Sequence, residues 1–338
     1  MVAASTSYGY KDNLLLSFSD EERSPFIRGN VEVFVLRVPQ DKFEFSFLAD
    51  VEGTRYTKGK TVDDDVKVWV QADPAYRVGE TFRLSMPVTG YYYDQVFDVS
   101  DTEVERLIAE LKVKGVMIGP TVRWDFHPAW WIEAQAIAQR KRYDDHAYDG
   151  EIGEGITRLG WAHGGWLEVR LSGARRWRGF DSRTQYSAPA GRELPGTVLK
   201  IAEREGEVRF DVTWDQASRW ETSTRVSLLR YRDNGSGYFD YREQKVVQEL
   251  EWDAAPWTVV LGGSASRVDF DLQTVGLGIE PPARLRDEFT GEFRVARKLS
   301  SRWTVFSAYT WERSRSNDPV ACYIVNEGLL GVRWSWEK

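Results

Sequence analysis

Strict alternation of apolar and polar residues constrains this chain more than any other feature. The run Glu207-Val208-Arg209-Phe210-Asp211-Val212-Thr213-Trp214 shows it most cleanly. Successive side chains of a strand point to opposite faces, so Val208, Phe210, Val212 and Trp214 share one face. Glu207, Arg209, Asp211 and Thr213 share the other. Phe43, Phe45, Phe47, Ala49 and Val51 alternate in the same way with Glu44, Ser46, Asp50 and Glu52. So do Val66, Val68, Val70 and Ala72 with Lys67, Gln71 and Asp73, and Leu167, Val169 and Leu171 with Glu168, Arg170 and Ser172. Helical spacing is confined to Thr102–Lys112, with Ser100 or Asp101 as its candidate cap. The pattern predicts an all-β chain.

Counting such segments gives about 16 strands, near 4–18, 26–38, 41–55, 63–76, 80–93, 110–125, 129–143, 154–163, 165–178, 200–214, 219–232, 238–252, 256–270, 286–298, 301–315 and 320–337. Most exceed the ~5–6 residues of a soluble strand and suit the ~9–11 that a tilted strand needs to cross a bilayer. Short links at Val38-Pro39-Gln40, His127-Pro128, His163-Gly164-Gly165, Ala254-Ala255-Pro256 and Leu299-Ser300-Ser301 alternate with longer polar stretches near 94–109, 144–153, 179–199 and 271–285. That predicts a closed antiparallel transmembrane β-barrel, with short periplasmic turns and longer extracellular loops. The whole of 1–338 forms one barrel domain in this reading, with 94–111 and 179–199 as candidate plug or constriction segments.

Aromatic placement separates this reading from a soluble sandwich. Of the 15 tryptophans, Trp124, Trp130, Trp131, Trp161, Trp166, Trp214, Trp220, Trp252, Trp257, Trp303, Trp334 and Trp336 fall beside the short turns. Tyr56, Tyr91, Tyr92, Tyr93, Tyr143, Tyr148, Tyr231, Tyr238, Tyr241, Tyr309 and Tyr323 favour the other ends. Amphipathic rings at both lipid–water boundaries are the girdle of a membrane barrel. Tryptophan in a soluble β-protein more often fills mid-strand core positions.

Composition narrows the function classes. A net charge of -7 argues against a nucleic-acid partner. One cysteine, Cys322, excludes an internal disulfide framework and a cysteine-rich zinc site. The three histidines, His127, His146 and His163, lack ligand spacing. Asp63-Asp64-Asp65 and Asp144-Asp145 read as solvated acidic loops, because calcium-loop spacing is missing. Gly150-Glu151-Ile152-Gly153-Glu154-Gly155 lacks the strand–helix context of a nucleotide loop. No serine stands out for a barrel-embedded hydrolase. The expectation is a chain that is not an enzyme and needs no metal or cofactor. Met1–Ser5 carries no charged or apolar leader, so the chain reads as a mature form with its signal peptide removed.

The polar faces of the strands would line the lumen. Their residues are Glu32, Glu44, Asp50, Lys67, Arg83, Glu133, Gln135, Glu168, Arg170, Glu207, Arg209, Asp211, Arg225, Glu249, Glu251, Glu292, Arg294, Glu312, Glu327 and Arg333. Both signs are interspersed, so cross-strand pairs offset one another. A barrel of ~16 strands is too wide for side chains alone to fill.

The segment from Tyr309 to Trp336 resembles the terminal hairpin of Gram-negative outer-membrane barrels attached to periplasmic tetratricopeptide repeats. The matching residues are Glu312-Arg313-Ser314, Ser316-Asn317-Asp318-Pro319, Tyr323, Asn326 and Gly331. That group includes exopolysaccharide exporters and surface-lipoprotein assembly modifiers. Here Glu337-Lys338 follow the closing Trp336, and no repeat helices are present in this chain. The resemblance implies an outer-membrane location, partnership with the lipid bilayer and the barrel-assembly machinery, and a periplasmic helical-repeat partner. The expected function is a pore passing a polar solute or polymer, by porin-type diffusion or exopolysaccharide-type export. The alternative is a plugged, non-conducting barrel for assembly or anchoring.

Overall fold

The computed structural model describes residues 1–19, 21–37, 42–98, 108–189, 191–215, 219–276 and 279–337. Its strands are β1 (Val2–Lys11), β2 (Ser24–Arg37), β3 (Phe43–Tyr56), β4 (Asp64–Val78), β5 (Phe82–Ser85), β6 (Val88–Asp98), β7 (Ile108–Ile118), β8 (Thr121–His127), β9 (Trp130–Tyr143) and β10 (Gly150–His163). Then come β11 (Leu167–Phe180), β12 (Gln185–Ser187), β13 (Arg192–Leu194), β14 (Lys200–Asp215), β15 (Trp220–Asp233), β16 (Tyr241–Ala254), β17 (Trp257–Thr274), β18 (Ala283–Lys298), β19 (Trp303–Ser316) and β20 (Tyr323–Trp336).

All but β12 and β13 belong to one antiparallel sheet. β5 and β6 lie end to end against β4, and β7 and β8 end to end against β9, so these four elements fill two places in the wall. The 18 elements of the sheet therefore make a wall of 16 strands. β20 pairs with β1 from Val2↔Trp336 to Lys11↔Glu327, which closes the barrel and abolishes both edges. The chain starts and ends at the rim of short turns.

The two interrupted strands break at proline. Pro74, Pro87 and Pro120 have no N–H to give, but their carbonyls accept from Met86 (3.0 Å), Gly119 (2.9 Å) and Ala136 (3.0 Å) respectively. The three prolines thus step diagonally across neighbouring strands.

Alternation sorts the surface as the pattern predicts. Tyr8, Val31, Val51, Val70, Val116, Val122, Leu171, Phe210, Val226, Val246, Leu261, Phe293 and Leu330 point outward and are exposed. This belt has no aqueous rationale; hydrocarbon is its natural solvent. At the short-turn rim Trp124, Trp130, Trp214, Trp220, Trp257, Trp303 and Trp336 are likewise outward and exposed.

Four expectations need correction. β1 stops at Lys11 instead of running to residue 18, because Leu14-Leu15-Leu16 breaks the alternation and Asn13 turns the chain. Ile108–Lys112 is strand, not helix, since pairing with β6 satisfies its backbone. The rest of the predicted helix and its cap, 100–107, lies outside the described residues. Several of the tyrosines expected in a lipid girdle are not part of one: Tyr56, Tyr91, Tyr231, Tyr241 and Tyr323 are buried, and their register turns them into the barrel, whereas Tyr309 is exposed. Trp131 is also buried and inward, unlike its outward neighbour Trp130.

Candidate functional site: the barrel interior

Adjoining cavities occupy the interior, and two of them meet at the wall of β18 to β20. The larger, about 620 Å³, is lined by inward residues of β1 and of β14 through β20, a continuous half of the ring, so it lies within the lumen. The smaller, about 360 Å³, shares Glu292, Thr310 and Glu327 with it. The larger cavity carries Glu205, Glu207, Glu249, Glu292, Glu312 and Glu327 against Lys11, Arg225 and Lys245. Six carboxylates face three cations.

The strand register brings the predicted polar residues onto this inward face, but not into one cluster. On the β20–β1–β2–β3–β4 wall, Arg28 reaches across β1 to bond Glu327 at 2.8 Å and lies 3.8 Å from Glu52, which Lys67 reaches at 3.1 Å. Arg333 pairs with Glu32 at 3.2 Å, and Asn30 donates to Asp50. Nearer the short turns Glu44 holds Arg77 and Arg83, and Asp73 stands 3.9 Å from Arg83. On the opposite wall Arg158 bridges Glu133 (2.6 Å) and Gln135 (3.1 Å). Arg170 holds Glu168 at 3.0 Å, Arg209 holds Asp211 at 2.9 Å, and Arg225 lies 3.9 Å from Glu207. Arg176 spans two strands to Glu154 and Glu203. These pairs ladder along the wall.

The β16–β19 wall is different. Glu251 sits directly opposite Glu221, and Glu249 opposite Ser223 and Gly262. Glu292 lies opposite Gly262 and Thr310, while Arg294 stacks over Phe306. Glu312 accepts from the Tyr323 hydroxyl at 2.6 Å. Among the described residues Glu249 and Glu292 make no ion pair. Cross-strand neighbours on this wall do not cancel its negative charge.

Two loop assemblies narrow the long-loop mouth. Between β1 and β2 the chain dips inward: Leu14 packs on Phe26, Tyr56 and Val62, and Leu16 reaches the large cavity. Asn13 ties the dip to the wall by donating to the Ile324 carbonyl at 3.1 Å. Glu22 anchors its far end on the amides of Lys60 and Thr61. Burial pushes the Glu22 carboxyl up, yet those amides outweigh it and hold it below the usual range. Sequence reading missed this loop, although its triple leucine was the available signal. The second assembly sits over β11 and β14–β17, where inward Phe180, Ile201, Tyr231, Tyr241 and Phe270 pack with Leu199, Tyr238 and Phe239. The β12–β13 hairpin lies within the 179–199 segment, and its Tyr186 packs edge-on against Phe239 at 5.5 Å. Of the 94–111 segment, Asp94–Asp98 and Ile108–Leu111 are wall strand and the remainder lies outside the described residues.

A closed 16-strand wall with a charged interior, an apolar outer belt and tryptophan at one rim defines an outer-membrane-type β-barrel. Solved structures agree at the level of fold. Acinetobacter baumannii OccAB1 is similar with a TM-score of 0.51 and 8% identity, over 98% of this chain and 95% of that one. In-vitro folded OmpT, an outer membrane protein of Vibrio cholerae, gives 0.50 and 11%, over 99% and 97%. Its loop L8 deletion mutant gives 0.49 and 12%, over 99% of each chain. No family model matches the chain, and no curated protein matches its sequence. The neighbours correct one expectation. They include OmpT, and likeness at this identity reaches the fold alone, which does not fix activity. The reading of this chain as a non-enzyme therefore does not stand.

Proposed function

We propose that the protein is an outer-membrane pore whose lumen passes a polar solute and favours cations. The excess of carboxylates over cations around the 620 Å³ cavity carries this reading. Confined between low-dielectric walls, uncancelled charge concentrates counter-ions from the bulk. The paired wall supplies rigidity and the acidic wall supplies selectivity. The C-terminal resemblance adds export of a polysaccharide, fed by a periplasmic helical-repeat partner, as the form in which a polymer would use the same lumen.

Reversal potentials in planar bilayers under a salt gradient test it. Wild type should prefer cations, more strongly at low salt, where the Debye length grows from ~10 Å at 0.1 M to ~30 Å at 0.01 M. Glu249→Gln/Glu292→Gln keeps shape and removes two charges, so cation preference should fall while the barrel still folds. Unchanged selectivity in a conducting double variant would refute the assignment. The packed aromatic layer at the long-loop mouth favours a second reading, a plugged barrel for assembly or anchoring. Absence of steady current from correctly folded protein would select that one.

A further inference from the structure

On the outer surface, rim tryptophans recur with a cation ten residues away on the same strand or wall position. Trp124 is so matched with Lys114, Trp130 with Arg140, Trp214 with Arg204, Trp220 with Arg230, Trp252 with Arg242, Trp257 with Arg267, and Trp303 with Arg313. An even separation keeps both side chains on one face. Ten residues at ~3.3 Å each cover ~33 Å of strand. A tilt of ~40° reduces that to ~25 Å along the membrane normal, the height of a barrel's apolar band. With tryptophan at the inner boundary, these cations stand at the headgroup level of the outer leaflet.

On four adjacent strands the cations meet. Arg175 is directly opposite Arg204, Arg204 opposite Arg230, and Arg230 opposite Arg242. Like charges facing each other across strands destabilise a sheet. Asp271 answers one end of the row, 2.7 Å from Arg230 and 3.7 Å from Arg242. At the other end Arg175 lies over the Trp177 ring at 4.8 Å. Neither Arg175 nor Arg204 makes an ion pair among the described residues. Two positions closer to the membrane centre, Gly173 faces Gly206, and a β-carbon at either would meet nothing within 4 Å. Uncompensated guanidinium groups thus stand above a bare, shallow shelf.

We propose that this surface binds a phosphorylated lipid of the outer leaflet. Its phosphate oxygens would bridge Arg175, Arg204 and Arg230, and an acyl chain would lie on Gly173 and Gly206. Guanidinium forks match phosphate oxygens in pairs, and the lipid supplies the counter-charge that the row lacks. A ligand bound to the folded state alone raises its stability, which gives the measurement.

Wild-type barrel is refolded into phosphatidylcholine vesicles, plain or doped with a diphosphorylated glucosamine-disaccharide lipid or its dephosphorylated form. The thermal midpoint is read as loss of the compact folded band on gels. The phosphorylated lipid should raise the midpoint by several degrees, and the dephosphorylated form should not. Arg175→Gln/Arg204→Gln should abolish the rise while being no less stable than wild type in plain vesicles, since it relieves repulsion. Arg204→Gln alone carries the same test should the double variant fail to fold. An equal rise with dephosphorylated lipid, or an undiminished rise in a folded variant, would overturn the site. The same rise from inorganic phosphate in plain vesicles would overturn the lipid and leave a simple anion site.

Discussion

Trp131 covers Gly160 across the β9–β10 pair, where the two residues are direct register partners. A β-carbon at 160 would run into the indole ring. The ring in turn lies beneath the guanidinium of Arg123 at 4.2 Å and near that of Arg170 at 5.5 Å. Only glycine lets this inward tryptophan lie flat on the wall. Gly160→Val should cost ~1–3 kcal/mol through overpacking, measured by urea unfolding from vesicles. Gly155→Val on the same strand, where nothing lies within 4 Å of the added carbon, should stay within about 0.5 kcal/mol. Equal losses at both would remove the packing explanation.

The two faces of β14 make a second test. Phe210→Arg or Val212→Arg should cost ~2–4 kcal/mol if those positions lie near the bilayer midplane. Asp211→Arg, which only breaks an inward pair with Arg209, should be milder. Refolding into liposomes reads the difference, and costs that do not differ would contradict the lipid-facing assignment.

Orientation can be read by thiol labelling in a Cys322→Ser background. Ser182 is exposed in the long loop after β11, and Ser300 is exposed in the short β18–β19 turn. Ser182→Cys should react on intact cells, whereas Ser300→Cys should react only after the outer membrane is permeabilised. Gln273, an obvious loop choice from sequence, is unsuitable, being buried against Arg284 at 2.9 Å. The reverse labelling pattern would invert the barrel.

The β9–β10 loop should be acid-sensitive. The Asp149 carboxylate accepts from the Tyr143 amide at 2.6 Å and pairs with His146 at 3.0 Å. Burial pushes this carboxyl up, but those two partners outweigh burial and hold it below the usual range. A carboxyl depressed in the folded state stabilises that state above its unfolded pKa, and the contribution is lost as pH falls through the folded value. Protease nicking near residue 146 should therefore rise below about pH 4, near and under the ordinary Asp range. Asp149→Asn should be nicked readily at neutral pH and lose that dependence. A wild-type loop equally resistant at every pH would refute the role of Asp149.

Alternation made the walls legible. Val208 through Trp214 gave β14 its two faces, and Leu330, Val332, Trp334 and Trp336 gave β20 its lipid side. A period of two fixes which face a side chain takes, but not what waits on that face. The inward tyrosines show the gap. Tyr231 and Tyr241 look like girdle residues until their register stacks them 4.5 Å apart inside the mouth. The β1–β2 dip was hidden for a related reason. Leu14 is buried by Phe26 and Tyr56, partners supplied by other strands rather than by any local period. The acidic wall was only half legible, since its charge excess depends on which carboxylates find a cation across the lumen.

Pro74, Pro87 and Pro120 mark a diagonal along which the wall lacks donors. Elsewhere the barrel behaves as a continuous hoop, stiff because each strand is laced to both neighbours. A hoop laced less tightly along one line has a crease, and lateral stress concentrates there. The cross-section should therefore flex from round toward oval about the segment from β4 to β9. The acidic wall, on the other side of the ring, would keep its spacing as it does so.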